Sequence, residues 1–196
     1  LKAVLPYTAK QFARALVMPN LRPPVRDLKD ALAYKKRIMD LLPVDTTFVP
    51  LMTLYLTDTT TPEMIREAAQ SGIVKACKLY PAGATTNSSL GVTNIENIFP
   101  VLTSMAEHNL VLCIHGEDTS EGVDFYDREQ VFVNKTLPKI LNAAPELKVV
   151  LEHCTTKLAA DFVANYPDDR LAATITCHHL LYNRNSLFAG GRLYPH

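Results

Sequence analysis

The sequence predicts a parallel α/β fold, a (β/α)8 TIM barrel of which about six of the eight strands are present. Three observations carry that prediction. Strand-like apolar runs alternate with helical segments from one end of the chain to the other. The runs are continuously apolar rather than alternating, as in sheets covered on both faces. Each run also ends in a conspicuous polar residue, which in a barrel gathers chemistry on one face.

After an opening segment that reads as a helix, "FARALVMPN" (12–20) is a short strand stopped by Pro19 and Asn20. "DLKDALAYKKRIMDLL" (27–42) is a helix with Leu28, Ala31, Leu32, Ile38 and Leu42 near helical spacing and Asp27 as N-cap. "FVPLMTLYLTD" (48–58) is a strand whose regular part Pro50 confines to about 51–57. "TPEMIREAAQSG" (61–72) is a helix with Thr61 as cap, Pro62 first and Gly72 at its end. "IVKACKLYP" is a strand, and "NIENIFPVLTSMAEHN" (94–109) a helix in two pieces divided by Pro100. "LVLCIHGED" (110–118) is a strand, and "DREQVFVNKTLPKILNAAP" (127–145) a helix interrupted at Pro138. "LKVVLEHCT" (147–155), "TKLAADFVANY" (156–166) and "LAATITCHH" (171–179) follow as strand, helix and strand.

No composition break marks a linker, so residues 1–196 are read as one incomplete barrel domain. No G-x-G-x-x-G follows a strand, which removes the main signature of a dinucleotide-binding sheet. Twenty basic side chains balance twenty acidic ones, a balance that points away from nucleic-acid and anionic-membrane partners. No apolar stretch approaches the ~18 residues of a membrane span, and no secretory pattern opens the chain. Cys77, Cys113, Cys154 and Cys177 are widely spaced without a C-x-x-C pair, so they are expected as reduced, buried thiols in a cytoplasmic protein.

The polar strand ends are Asn20, Asp58, Lys78, His115, His153 and His178 or His179. An open sheet would spread them along a line, whereas a barrel brings them together. Lys78, His115 and His153 are 37 and 38 residues apart, about one βα unit in each case. Taken singly, a strand-end histidine is more often a hydrogen-bonded structural residue and a strand-end lysine a loop charge. Three on consecutive strands favour a site. Two imidazoles there suit zinc or a similar ion. A buried lysine can lose its proton, and its free amine can then take up carbon dioxide to form a carbamate able to bridge two cations. The competing chemistry, a Schiff base, has no need of the two histidines. By the two-residue strand period, Cys77 and Cys154 point away from Lys78 and His153, while Cys113 shares the face of His115 one layer deeper.

"VMPNL", "KLYPAGATTNSS", "HGE", "EHCTTK" and the segment from "AATIT" to "NRN" resemble dihydroorotase of the single-domain bacterial type, in the amidohydrolase superfamily of metal-dependent hydrolases. The resemblance covers essentially the whole chain, in order. It implies a TIM barrel and the reversible conversion of N-carbamoyl-L-aspartate to L-dihydroorotate in pyrimidine biosynthesis. It further implies two zinc ions per subunit bridged by carboxylated Lys78, with His115 and His153 as ligands of the second metal. Asn20 would hold the substrate carboxylate, Thr85 and Thr86 would reach the substrate from a mobile loop, and the protein would be a homodimer.

The family's His-x-His pair on strand one and its aspartate on strand eight are not in the sequence. The sequence is therefore expected to be part of a longer enzyme. In the closing "RLYPH", His196 is one candidate for a substrate-contacting histidine. A hydantoinase or dihydropyrimidinase, a non-catalytic scaffold relative and a lysine-dependent aldolase stand as the alternatives.

Overall fold

The computed structural model describes residues 1–191, so the expectation for His196 lies outside the described residues. Six strands form one sheet in the order β1-β2-β3-β4-β5-β6: Arg14–Val17, Val49–Tyr55, Val74–Leu79, Val111–His115, Val149–Glu152 and Leu171–Ala173. Every pairing is parallel and joins sequence neighbours, and the sheet curls into half a barrel. Eight α-helices accompany it: α1 Leu5–Gln11, α2 Leu28–Met39, α3 Pro62–Gln70, α4 Phe99–Glu107, α5 Arg128–Lys135, α6 Leu137–Ala143, α7 Lys157–Ala164 and α8 Cys177–Leu181. None of the described helices is long and apolar enough to cross a membrane.

Local chemistry accounts for the boundaries. Asp27 caps α2 by accepting from Asp30 N at 2.8 Å, and the Thr61 side chain caps α3 ahead of Pro62. Gly72 follows α3 with φ +71°, the left-handed turn that a side chain would resist. Pro100 and Pro138 divide their segments as expected, each sitting in the first turn of a new helix, where an absent N–H costs nothing.

The strand period sorts the sheet into two faces. Leu54, Cys77 and Leu112 lie side by side on the outward face, pressed under the helices with Ile65, Leu102, Met105 and Ile140. Tyr55, Lys78, Cys113 and Val150 form the next register row and face the barrel interior. His115 and Glu152 form the interior row above it. The fold thus separates an apolar layer that stabilises from an inner layer that holds polar groups.

The structure corrects three expectations of the fold. Pro50 does not bound the regular strand: β2 runs Val49–Tyr55, with Pro50 paired in register with Ala15. Strand pairing along the last apolar run ends at Ala173, and His178 and His179 stand on α8. There Thr174 leaves the ladder to bond the β5 loop, and extended Thr176 then opens a helical turn. Cys77, Cys113 and Cys154 are buried, but Cys177 is exposed, on a helix none of whose residues is buried. Leu16 and Val49 on the first two strands, and Ile175, Leu180 and Leu181 after β6, are exposed apolar side chains at the two ends of the sheet.

Candidate functional site

The C-terminal ends of β1, β3, β4, β5 and β6 open onto one cleft of about 420 Å³. Asn20, Lys78, Thr85, His115 and His153 line it, as do His178 and His179 from α8. Thr86 meets Asn20 through its backbone, its carbonyl accepting from Asn20 Nδ2 at 3.4 Å. Asp58 does not join them. Its carboxylate turns to the segment after the loop, accepting from Thr93 N and Oγ1 and from Asn97 Nδ2.

Lys78 is 1% exposed, and its ammonium is ion-paired with the Glu152 carboxylate across the interior. Burial drives the Lys78 pKa below its ordinary value, and Glu152 only partly opposes that. The Tyr80 ring lies 5.2 Å from the ammonium and stacks on Tyr55 at 5.0 Å, walling one side of the lysine.

His115 Nδ1 and His153 Nε2 face each other at 3.3 Å. The other ring nitrogen of His115, Nε2, is 2.6 Å from Glu117 Oε2. His153 has φ +46°, an unusual backbone for a residue with a side chain. Two straps hold it. Thr174 takes the amides of His153 and Cys154 at 2.8 and 2.9 Å. On the other side buried Glu129, from α5, accepts from Thr155 N, Thr156 N and Thr156 Oγ1. Burial, then the Lys78 and His115 charges, push the His153 pKa down to about 4, so its ring is neutral near pH 7.

The loop after β3 is fastened at Asn87, which has φ +57°. Asn87 Nδ2 donates to Asn20 O at 2.9 Å, its carbonyl accepts from Tyr55 OH at 3.1 Å, and its Oδ1 accepts from Arg22 Nε. Ser88 Oγ closes the turn by donating to Thr85 O at 2.6 Å.

The donor chemistry fits a zinc-like cation. A neutral imidazole and a second one converge from adjacent strands, beside a buried amine that desolvation drives toward its free form. Among the described residues no three His, Cys, Asp or Glu side chains form such a cluster.

Sequence reasoning passed over Glu117, Glu129, Glu152 and Tyr80. Strand register would have found Glu152, because His115 pairs with it directly. Glu129 carries no such signal; it sits in the first turn of α5 and reaches the site only through tertiary packing.

No family model matches the chain. Curated dihydroorotases of Teredinibacter turnerae and Azoarcus sp. are 55% and 56% identical over all 196 residues. The chain spans 56% of the length of each, about half. Among solved structures, a dihydroorotase from Campylobacter jejuni matches with TM-score 0.86 and 39% identity, over all of this chain and 55% of its own. A dihydroorotase from Saccharomyces cerevisiae, solved with 5-fluoroorotic acid, matches with TM-score 0.85 and 33% identity, over 99% of this chain and 58% of its own. A D-hydantoinase at 13% identity and TM-score 0.66 shares the fold. With identity above one half along its whole length and a backbone that follows the solved dihydroorotases, this chain belongs to the dihydroorotase family.

Proposed function

We propose that the protein is a zinc-dependent cyclic amidohydrolase that interconverts N-carbamoyl-L-aspartate and L-dihydroorotate. The observation that carries the reading is the facing pair His115 Nδ1 and His153 Nε2 beside buried Lys78. In this reading Lys78, His115 and His153 hold the metals, and the two histidines share one of them. Residues 1–196 then form part of one barrel domain of a cytoplasmic homodimer with two zinc ions per subunit.

Lys78 enters as the free amine. Its nitrogen lone pair bonds the carbon of carbon dioxide, a C–O π pair moves onto oxygen, and one N–H proton leaves to solvent. The product is a carbamate, whose oxygens would be available to hold metal. A zinc ion held by these residues would supply Lewis acidity for the hydrolytic step. Asn20, freed from Thr86, directs its amide to the substrate carboxylate. Thr85 and Thr86 offer hydroxyls from a loop whose base Asn87 ties to Asn20, so substrate binding and loop position are coupled. The cleft volume suits a small ligand of this size.

Zinc per chain by elemental analysis, together with ring opening of L-dihydroorotate, tests the reading. Two zincs, activity lost on chelation and loss of both metal and turnover in Lys78→Met are expected. Turnover of hydantoin or dihydrouracil in preference to dihydroorotate would replace it with the hydantoinase alternative. One zinc or none, with no turnover, would replace it with a scaffold role. Borohydride trapping of substrate on Lys78 would mark an aldolase.

A further inference from the structure

We propose that Glu117 is a positioning residue. Its carboxylate holds His115 as the Nε2–H tautomer and so aims the Nδ1 lone pair at the point that His153 Nε2 also faces. What the lone pair is for rests on the metal-site reading above; the tautomer does not.

The assignment follows from the inventory around one ring. An ionised carboxylate only accepts hydrogen bonds, so at 2.6 Å from Glu117 Oε2 the proton belongs to His115 Nε2. A neutral imidazole carries one N–H, which leaves Nδ1 with a lone pair. Nδ1 has His153 Nε2 at 3.3 Å. The two nitrogens of an imidazole diverge, so Glu117 stands at the opposite edge of the ring from His153. It therefore cannot share a cation with Nδ1 and acts by orienting the ring. Tyr80, the other ring beside His115, is tilted at 6.3 Å between centroids. Among the described residues nothing else bonds either His115 nitrogen or the Glu117 carboxylate.

The backbone is shaped for this contact. His115 is the last residue of β4, and Glu117 N donates back to His115 O at 3.1 Å, folding the chain so that the carboxylate meets the ring two residues earlier. Gly116 between them passes so close to β5 that a Cβ would lie 2.4 Å from Leu151 Cδ1. Glycine lets the turn be made without lifting the ring away from its partner. His153 is fixed instead through its backbone, by Thr174 and Glu129. Among the described residues, Glu117 is the one carboxylate that bonds the His115 ring.

Long-range ¹H–¹⁵N NMR of histidine-labelled, metal-free protein reads the tautomer directly, with His115 assigned by its absence in His115→Gln. At a pH where the imidazoles are neutral, wild-type protein should show His115 as Nε2–H. Glu117→Gln, whose amide oxygen still accepts, should keep it, and Glu117→Ala should give a mixture of tautomers. Zinc affinity should fall about 10–100-fold in Glu117→Ala and less in Glu117→Gln, with melting temperatures unchanged. A pure Nε2–H signal in Glu117→Ala overturns the proposal. So does a shifted tautomer with undiminished zinc affinity, since Glu117 then positions nothing for the metal. If wild-type protein takes up no zinc while the tautomer shifts as expected, the metal-site reading falls and the hold of Glu117 on His115 stands.

Discussion

Glu129→Ala should cost the protein about 3–5 kcal/mol of folding stability, far more than a glutamate on an exposed helix face would. The side chain is 8% exposed and accepts from Thr155 N at 3.0 Å, Thr156 N at 2.7 Å and Thr156 Oγ1 at 2.6 Å. Removing it leaves two part-buried backbone N–H groups facing a small hole, at up to about 1–3 kcal/mol each and less where water reaches them. The hydroxyl can turn elsewhere and adds less. A carboxylate near the first turn of α7 also favours the helix dipole, by about 0.3–1 kcal/mol. Water entering the hole recovers some of the loss, which holds the total near the lower end. Glu129→Gln keeps one acceptor and should cost about 1–2 kcal/mol. Thr156→Ala removes both a donor to Glu129 and the cap on Ala159 N, about 1 kcal/mol for the cap alone. The double variant should fall short of the sum by about 1 kcal/mol, because the two share one contact. Urea unfolding of metal-free protein measures this without linkage to zinc. A Glu129→Ala loss below about 1 kcal/mol, or strict additivity with Thr156→Ala, would show that the strap on the His153 loop is not made of these bonds.

Gly91→Ala places a Cβ 2.3 Å from Tyr80 O, 2.9 Å from Ser88 O and 3.1 Å from Ala82 N. All three are backbone atoms, so the loop base must open; the melting temperature should fall, and under the function proposed above kcat/KM for dihydroorotate should fall at least tenfold. Asn87→Ala removes the loop's bonds to Arg22 and Asn20 and strains a residue at φ +57°, so limited proteolysis should cut between residues 82 and 90 faster. Asn87→Gly relieves the strain but not the lost bonds, and should be cut faster as well. At Asp58, burial pushes the carboxyl up, but bonds from Thr93, Asn97 and the backbone outweigh it and hold its pKa below the ordinary value. A carboxyl with a depressed folded pKa stabilises above its unfolded pKa, near 4, and loses that contribution as pH falls through the folded value. Asp58→Asn should therefore flatten the acid limb of a stability–pH curve while lowering stability at pH 7.

The fold was legible because it is written in features that act locally. Asp27 and Thr61 cap their helices from three residues away, Pro100 and Pro138 restart theirs, and continuous apolar runs make buried parallel strands. Segment 174–179 was misread for an equally local reason. β-branched Thr174, Ile175 and Thr176 have strand propensity, but β6 has a strand partner on one side only among the described residues; the Thr174 amide still reaches Leu151 O on β5, while its carbonyl and hydroxyl turn to the amides of the loop after β5. Ladder pairing won over propensity. Asp58 misled for the same kind of reason: its place at a strand end is real, but Thr93 and Asn97 supply better partners than the cleft does.

The site divides along the same physical line. Lys78, His115 and His153 could be picked out because each ends its own strand, and strand order is sequence order in this sheet. The three glutamates that hold these residues could not, since each reaches its partner differently. Glu152 meets Lys78 across the barrel interior, Glu117 folds back over a two-residue turn, and Glu129 arrives from a helix that sequence places in the outer layer. A carboxylate in such a place has a definite task, because burial penalises its charge unless several donors converge on it. Glu129 has three, Glu117 has an imidazole, and Glu152 has the Lys78 ammonium before Lys78 is carboxylated. Each donor set belongs to the residue being held or to its loop. The acidic side chains around this cleft are therefore better understood as the fixtures of the lysine and the two histidines than as further ligands, and substituting them should move orientation and affinity before it moves the identity of the reaction.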